Sequence, residues 1–225
     1  MLNSLLDQNP VFACLDQDSR DQAARAATYM DYPAGQWIAH HGSAWAYLFM
    51  VTEGIIQAIK ESPEGRSLIV TEINKGELFW GISFFIPDTP MPVALVAKEK
   101  TRLYLWSFDK LNPLILKNGC MSWELTRLMI QKMQFASDML NEFAFQPTAG
   151  RLAKVLLEHF GDAVGDYVAR DMTLDEMAAR IGSTREMVCR HLYHFADQGA
   201  IQINRTEFKI TDQDLLNFLA GKSNR

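Results

Sequence analysis

The sequence predicts an α+β fold in three parts: a jelly-roll-like β roll, a long helix, and a winged helix-turn-helix. Three observations predict it. Glycines punctuate short apolar runs through the front half, an apolar repeat of about 3.5 residues follows, and two capped amphipathic helices meeting at a glycine lie in the last third. These set the expected divisions at residues 1–112, 113–147 and 148–225.

The roll comes first. Between residues 32 and 108, glycines at Gly35, Gly42, Gly54, Gly65, Gly76 and Gly81 separate runs such as WIAH, YLFMVTEG, IIQAIKE, SLIVTEI and VALVAKEKTRLYLWSF. Turn signals at such intervals mark many short strands, and SPEGR reads as a hairpin turn. After Asn112 and Pro113 the pattern becomes helical and stays so to Phe145. Met129, Met133, Ala136, Leu140 and Phe143 step by four, three, four and three residues, the spacing of a coiled-coil seam. That stripe is the expected dimer interface, although a helix packed on its own β domain would use the same methionines. Pro147 and Gly150 are expected to break the helix as a hinge does.

The last third is the most specific. Thr173 and Glu176 form a Thr-x-x-Glu capping box, and Leu174, Met177, Ala178 and Ile181 make the inner face of the helix it opens. Gly182 supplies a tight turn, Ser183 or Thr184 caps a second helix that runs to about Gln198, and Gly199 stops it. Val188, Leu192 and Phe195 then face inward, leaving Arg185, Glu186, Cys189 and Arg190 outward. Arginine pairs with the O6 and N7 of guanine and glutamate accepts from the amine of cytosine, so this set suits G:C pairs in a major groove. Any one of these residues alone fits a solvated helix face; the ordered set points to DNA. AIQINRTEFKIT, residues 200–211, alternates apolar and polar residues as a wing hairpin would. Thr184, Arg151, Lys154, Arg205 and Lys209 are the remaining expected DNA contacts. Asp212 opens a last short helix.

Composition bounds the rest. At 225 residues with 48% hydrophobic and 11% aromatic composition, the chain holds enough core for two modest domains. No apolar run reaches the length of a membrane span, and MLNSLLDQNP lacks the basic and apolar segments of a signal peptide, so a cytoplasmic location without membrane attachment is expected. Cys14, Cys120 and Cys189 are widely separated and read as ordinary buried or half-buried thiols, with neither a disulfide framework nor a metal cage. The net charge of -5 argues mildly against nucleic acid. From Gln146 onward, ten Lys and Arg face eleven Asp and Glu, so phosphate contacts must be local. An enzyme is not expected. The alternative of a cupin-like metal enzyme rests on His40 and His41, but adjacent strand residues point to opposite faces and Glu53 lies too far along.

The order of parts resembles the cyclic-AMP receptor protein and fumarate-nitrate-reduction regulator family of bacterial transcription factors. The likeness lies in IGSTREMVCR, in the roll segments YPAGQWI, HHGSAWAYLFMVTEG and KGELFWG, and in the junction FAFQPTAGRLAKVLL. It implies a cyclic-nucleotide-binding-like roll and a homodimer joined through the long helix. It also implies two recognition helices about 34 Å apart on double-stranded DNA carrying an inverted repeat, and RNA polymerase as a partner. By this resemblance Arg185, Glu186 and Arg190 read bases, and the half-site should resemble TGTGA.

The effector site departs from the family's pattern. Ile82 follows Gly81 where nucleotide binders carry a ribose-holding glutamate, Met91 and Pro92 stand where an Arg-Ser or Arg-Ala pair holds the cyclic phosphate, and Ala136 and Ser137 replace a Thr-Ser pair. The expected pocket of Trp80, Gly81, Ile82, Met91, Pro92, Ala136 and Ser137 is therefore apolar, and a buried phosphate without a cationic partner is costly. Cyclic AMP in the usual mode is not expected; an unidentified small effector, or none, is. No cofactor is expected. Cys14 alone near the amino terminus does not make an iron-sulfur site. The alternative cofactor is haem, as a gas or redox sensor on the same scaffold, in an apolar pocket that adds Phe84 and Phe85, with His40, His41 or a cysteine on the iron.

Overall fold

The computed structural model describes residues 2–161, 164–204 and 206–221. It divides into two compact units, one of residues 1–60 and 70–135, the other of residues 61–69 and 136–225.

Three helices open the first unit: α1 (Leu2–Gln8), α2 (Pro10–Ala13) and α3 (Gln17–Ala26). Each of the last two starts at a local cap. Asn9 accepts from the Val11 amide with Pro10 in the first turn, and Asp16 accepts from the Ser19 amide. Eight strands follow: β1 (Thr28–Tyr32), β2 (Trp37–Ala39), β3 (Tyr47–Glu53), β4 (Ile56–Glu61), β5 (Ser67–Ile73), β6 (Leu78–Trp80), β7 (Ala94–Ala97) and β8 (Thr101–Ser107). They form two four-stranded sheets, in the orders β1-β8-β3-β6 and β2-β7-β4-β5.

β3 explains why the front half lacks clean alternation. Phe49 and Val51 face Ile56, Ala58, Leu95 and Ala97 between the sheets, while Leu48 and Met50 face Leu6, Phe12 and Leu15 of the helical layer. A strand covered on both faces reads as one apolar run. Trp106 fixes that layer, its indole donating to the Ala23 carbonyl at 2.8 Å from a fully buried position. Gly81 is required by close approach: a Cβ there would lie 1.7 Å from the Trp45 carbonyl oxygen.

The pattern after the roll predicts one helix from residue 113; the structure has two and starts earlier. α4 (Phe108–Lys117) begins at Ser107 and carries Pro113 inside it, and α5 (Gly119–Phe145) follows a break at Asn118. Asn118 has extended backbone, φ -112 and ψ 99, and its side-chain amide donates to the Leu114 carbonyl, capping α4. Met121 and Leu125 bury the start of α5 against Leu111 and Leu114.

The second unit contains α6 (Thr148–Phe160), β9 (Val168–Ala169), α7 (Leu174–Ile181), α8 (Arg185–Asp197), β10 (Ile201–Ile203), β11 (Glu207–Ile210) and α9 (Gln213–Leu219). Its core joins Leu152 and Leu156 of α6, Met177 and Ile181 of α7, Val188, Leu192 and Phe195 of α8, and Phe208 and Ile210 of β11. The wing hairpin gains a third strand, with order β10-β11-β9. One expectation is corrected here. Gly150 does not break a helix; it lies buried inside α6, where a Cβ would come within 3.0 Å of the Leu219 carbonyl, so its smallness lets α9 pack. Pro147 alone marks the junction, as the N-cap of α6.

Candidate nucleic-acid interface

The site is built from two caps and a turn. The Thr173 hydroxyl accepts from the Glu176 amide at 3.1 Å, and Gly182 ends α7 in the left-handed region at φ 59, ψ 44. Ser183 then donates its amide to the Ala178 carbonyl, and Thr184 caps α8 by accepting from the Met187 amide at 3.3 Å. A side chain at residue 182 would strain that backbone and place its Cβ 2.5 Å from the Phe143 ring.

With Val188, Leu192 and Phe195 inward, α8 exposes Arg185, Glu186 and Arg190. Glu186 and Arg190, one turn apart, bond to each other at 2.9 Å, and Arg185 lies 3.4 Å from Asp175 of α7. Cys189 is half-buried beside them, and Tyr193, 70% exposed, extends the same face by another turn. The i, i+3, i+7 step from Glu186 through Cys189 to Tyr193 is visible in the sequence, yet nothing about a tyrosine alone marks it as part of the face. His191 turns inward, its Nε2 3.0 Å from the Thr148 hydroxyl. Burial first, then His194 and Arg190, hold its pKa below the usual histidine range.

The wing supplies a second polar edge. β10 and β11 pair with Gln202 opposite Lys209. The Tyr167 hydroxyl donates to the Gln202 side chain at 2.7 Å, while the Lys209 ammonium lies 5.4 Å from the Tyr167 ring centroid. Asn204 closes the turn by accepting from the Thr206 and Glu207 amides. Arg205 lies outside the described residues.

Two residues expected at the DNA face have other work. Arg151 is buried: its Nε donates to the Ile181 carbonyl at 3.0 Å, its Nη1 to the Gln146 carbonyl at 2.7 Å, and its guanidinium stacks 4.6 Å from the Phe143 ring centroid. These bonds tie the end of α5 to the end of α7. Lys154, half-buried, pairs with Glu142 of α5. Replacing Arg151 by alanine should therefore strand two carbonyls and lower stability by about 3 kcal/mol. Urea unfolding reads this directly. A change under about 1 kcal/mol with a selective loss of DNA affinity would restore Arg151 to the phosphate contacts.

In the roll, the residues expected at an effector pocket separate. Trp80 packs with the cluster under the helical layer, whereas Met91 is 2% exposed in the cluster between the sheets. Gly81 is buried, Ile82 starts a 3-10 helix (Ile82–Phe84), and Pro92 is exposed. The Met91 amide donates to the Ser43 carbonyl and its carbonyl accepts from the Gly42 amide, so neither group is left for a ligand. Ala136 and Ser137 are exposed on α5. His40 stacks on Trp37, and among the described residues no group of three or more His, Cys, Asp or Glu is gathered to hold a metal.

On α5, Met133 and Leu140 are exposed, and Trp123 and Ile130 continue their line toward the amino end. Met129 and Phe143 are half-buried, so the solvent-facing stripe is turned slightly from the expected one.

A capped pair of helices about a left-handed glycine, with a charged outer face and a paired wing, defines a DNA-binding regulator. Comparison with known proteins agrees. Residues 29–118 match the cyclic nucleotide-binding domain and residues 150–219 the Crp-like helix-turn-helix domain. The chain belongs to the Crp/Fnr family of transcriptional regulators, which are not enzymes. It is 24% identical over 220 residues, 96% of this chain and 98% of the relative, to the CRP-like cAMP-activated global transcriptional regulator of Mycobacterium tuberculosis. The cAMP-activated global transcriptional regulator CRP of Salmonella typhimurium is 25% identical over 174 residues, 76% of this chain and 83% of that protein. A Crp/Fnr-family regulator from Eubacterium rectale has the same fold, with a TM-score of 0.77 at 18% identity, covering 94% of this chain and 98% of that one. No helix among the described residues is long and apolar enough to cross a membrane.

Proposed function

We propose that this chain is a cytoplasmic homodimer joined along α5 that reads an inverted repeat with TGTGA-like half-sites and works with RNA polymerase. Residues 1–112 form the effector-type part, 113–147 the end of α4 with the dimerisation helix α5 and its hinge, and 148–225 the DNA reader. The observation that carries this is the exposed set Arg185, Glu186 and Arg190 on α8, held at the outer face by the inward packing of Val188, Leu192 and Phe195. Two guanidiniums flanking a carboxylate match the edges of successive G:C pairs.

The roll does not take cyclic AMP in the mode of the relatives described as cAMP-activated. Met91 stands where a phosphate would need a cation, and its amide is already bonded to Ser43. The effector is an uncharged apolar molecule, or the dimer binds DNA without one. Selection from random DNA by the purified chain should return a palindrome with a TGA core, and calorimetric titration with cyclic AMP should give no heat of binding. Recovery of sequences without two-fold symmetry overturns the half-site, and micromolar nucleotide binding overturns the pocket reading.

A further inference from the structure

Two of the three cysteines, 106 positions apart in the chain, meet. Cys14 sits at the C-cap of α2 and Cys120 in the first turn of α5, and the Cys120 thiol donates to the Cys14 carbonyl at 3.1 Å. Both residues are exposed. The Cys14 thiol meanwhile points to the Val11 carbonyl at 3.6 Å, a weak bond that it can leave by changing its χ1 rotamer. Neither sequence spacing nor motif brings these two together; the packing of the helical layer against α5 does.

The pair lacks the donors for a metal. Among the described residues no third His, Cys, Asp or Glu joins such a group, whereas zinc sites take four ligands and iron-sulfur clusters are held by four cysteines. Two adjacent, accessible thiols without further ligands suit a different chemistry.

We propose that Cys14 and Cys120 form a reversible intramolecular disulfide, with a peroxide as the oxidant. The Cys120 thiolate attacks one oxygen of hydrogen peroxide; the O–O bond breaks, hydroxide leaves and takes up a proton to become water, and Cys120 becomes a sulfenic acid. Cys14 then attacks that sulfur, the S–O bond breaks, and the departing hydroxide leaves as water with the Cys14 proton. One peroxide is reduced to two waters as two thiols are oxidised to one disulfide. The order of attack follows from Cys14, whose pKa is pushed up to about 12 by partial burial first and by its contacts with Cys120 next, so that it keeps its proton near neutral pH. The product ties the end of α2 to the start of α5, and thiol reductants release it.

The test uses the full reduced chain, treated with stoichiometric hydrogen peroxide and then alkylated. Free thiols should fall from three per chain to one, the intact mass should drop by two hydrogens, and digestion should yield a peptide linking Cys14 to Cys120. Dithiothreitol should restore all three thiols. Cys189→Ser should leave the linkage intact, while Cys14→Ser should let Cys120 advance to sulfenic and sulfinic acid without an intramolecular link. If wild-type Cys14 and Cys120 both remain alkylatable, or peroxide yields only sulfinic acid or links between chains, the proposal is overturned.

Discussion

Replacing Met133 or Leu140 by glutamate is expected to convert the proposed dimer into monomers at low micromolar concentration. Both side chains are largely exposed, 66% and 72%, and lie on one line of α5 with Trp123 and Ile130. Four large apolar groups on one face of a helix are costly to leave in water, and a second copy meeting them about a two-fold axis would bury them all. A carboxylate introduced at that seam is buried twice, once from each copy, at several kcal/mol in total. Because each 1.4 kcal/mol is a factor of ten, dissociation should strengthen by several orders of magnitude. Sedimentation equilibrium measures this, and the same variants should lose most of their affinity for an inverted repeat while keeping weak binding to a single half-site. A Leu140→Glu protein that still sediments as a dimer would place the interface on another surface.

Arg190→Ala is expected to cost about 1 to 3 kcal/mol against the preferred site and to lower binding to random DNA much less. Glu186→Ala should relax discrimination at the same base pair, but with a difference that the geometry dictates. Glu186 holds Arg190 through a 2.9 Å bond in the free protein, so its loss releases a guanidinium to any nearby phosphate. Random-sequence affinity should therefore rise in Glu186→Ala and fall slightly in Arg190→Ala, while specificity drops in both. Lys209→Ala should weaken all sequences alike and flatten the salt slope. Equal loss on specific and random DNA in Arg190→Ala would show that α8 does not enter the groove by this face.

What could be read from the sequence was whatever local chemistry specifies. Thr173, Gly182 and Thr184 mark the ends of α7 and α8 because caps and left-handed turns depend on the residue itself and its immediate neighbours. The glycines of the roll were legible for the same reason. Arg151 was not. Its position in the chain gives no sign that the carbonyls of Gln146 and Ile181 converge on it, and an arginine next to a DNA-reading motif invites a phosphate instead. Asn118 ends α4 inside a region of unbroken helical periodicity, since α4 and the start of α5 both bury apolar residues in the same cluster. The meeting of Cys14 and Cys120 likewise depends on long-range packing.

The self-pairing on the recognition helix bears on how such a protein finds its site. Arg190 is occupied by Glu186, Arg185 lies beside Asp175, and the chain as a whole carries a net charge of -5. Non-specific attraction to the duplex is mostly release of condensed counterions by free cations, and among the described residues both arginines of the proposed reading face lie beside a carboxylate. Each chance encounter with a chromosome should accordingly be brief. A regulator that lets go quickly of random sequence samples many positions per unit time by hopping rather than sliding, and under the proposed base reading it would stall only where a G:C pair offers Arg190 and Glu186 better partners than each other.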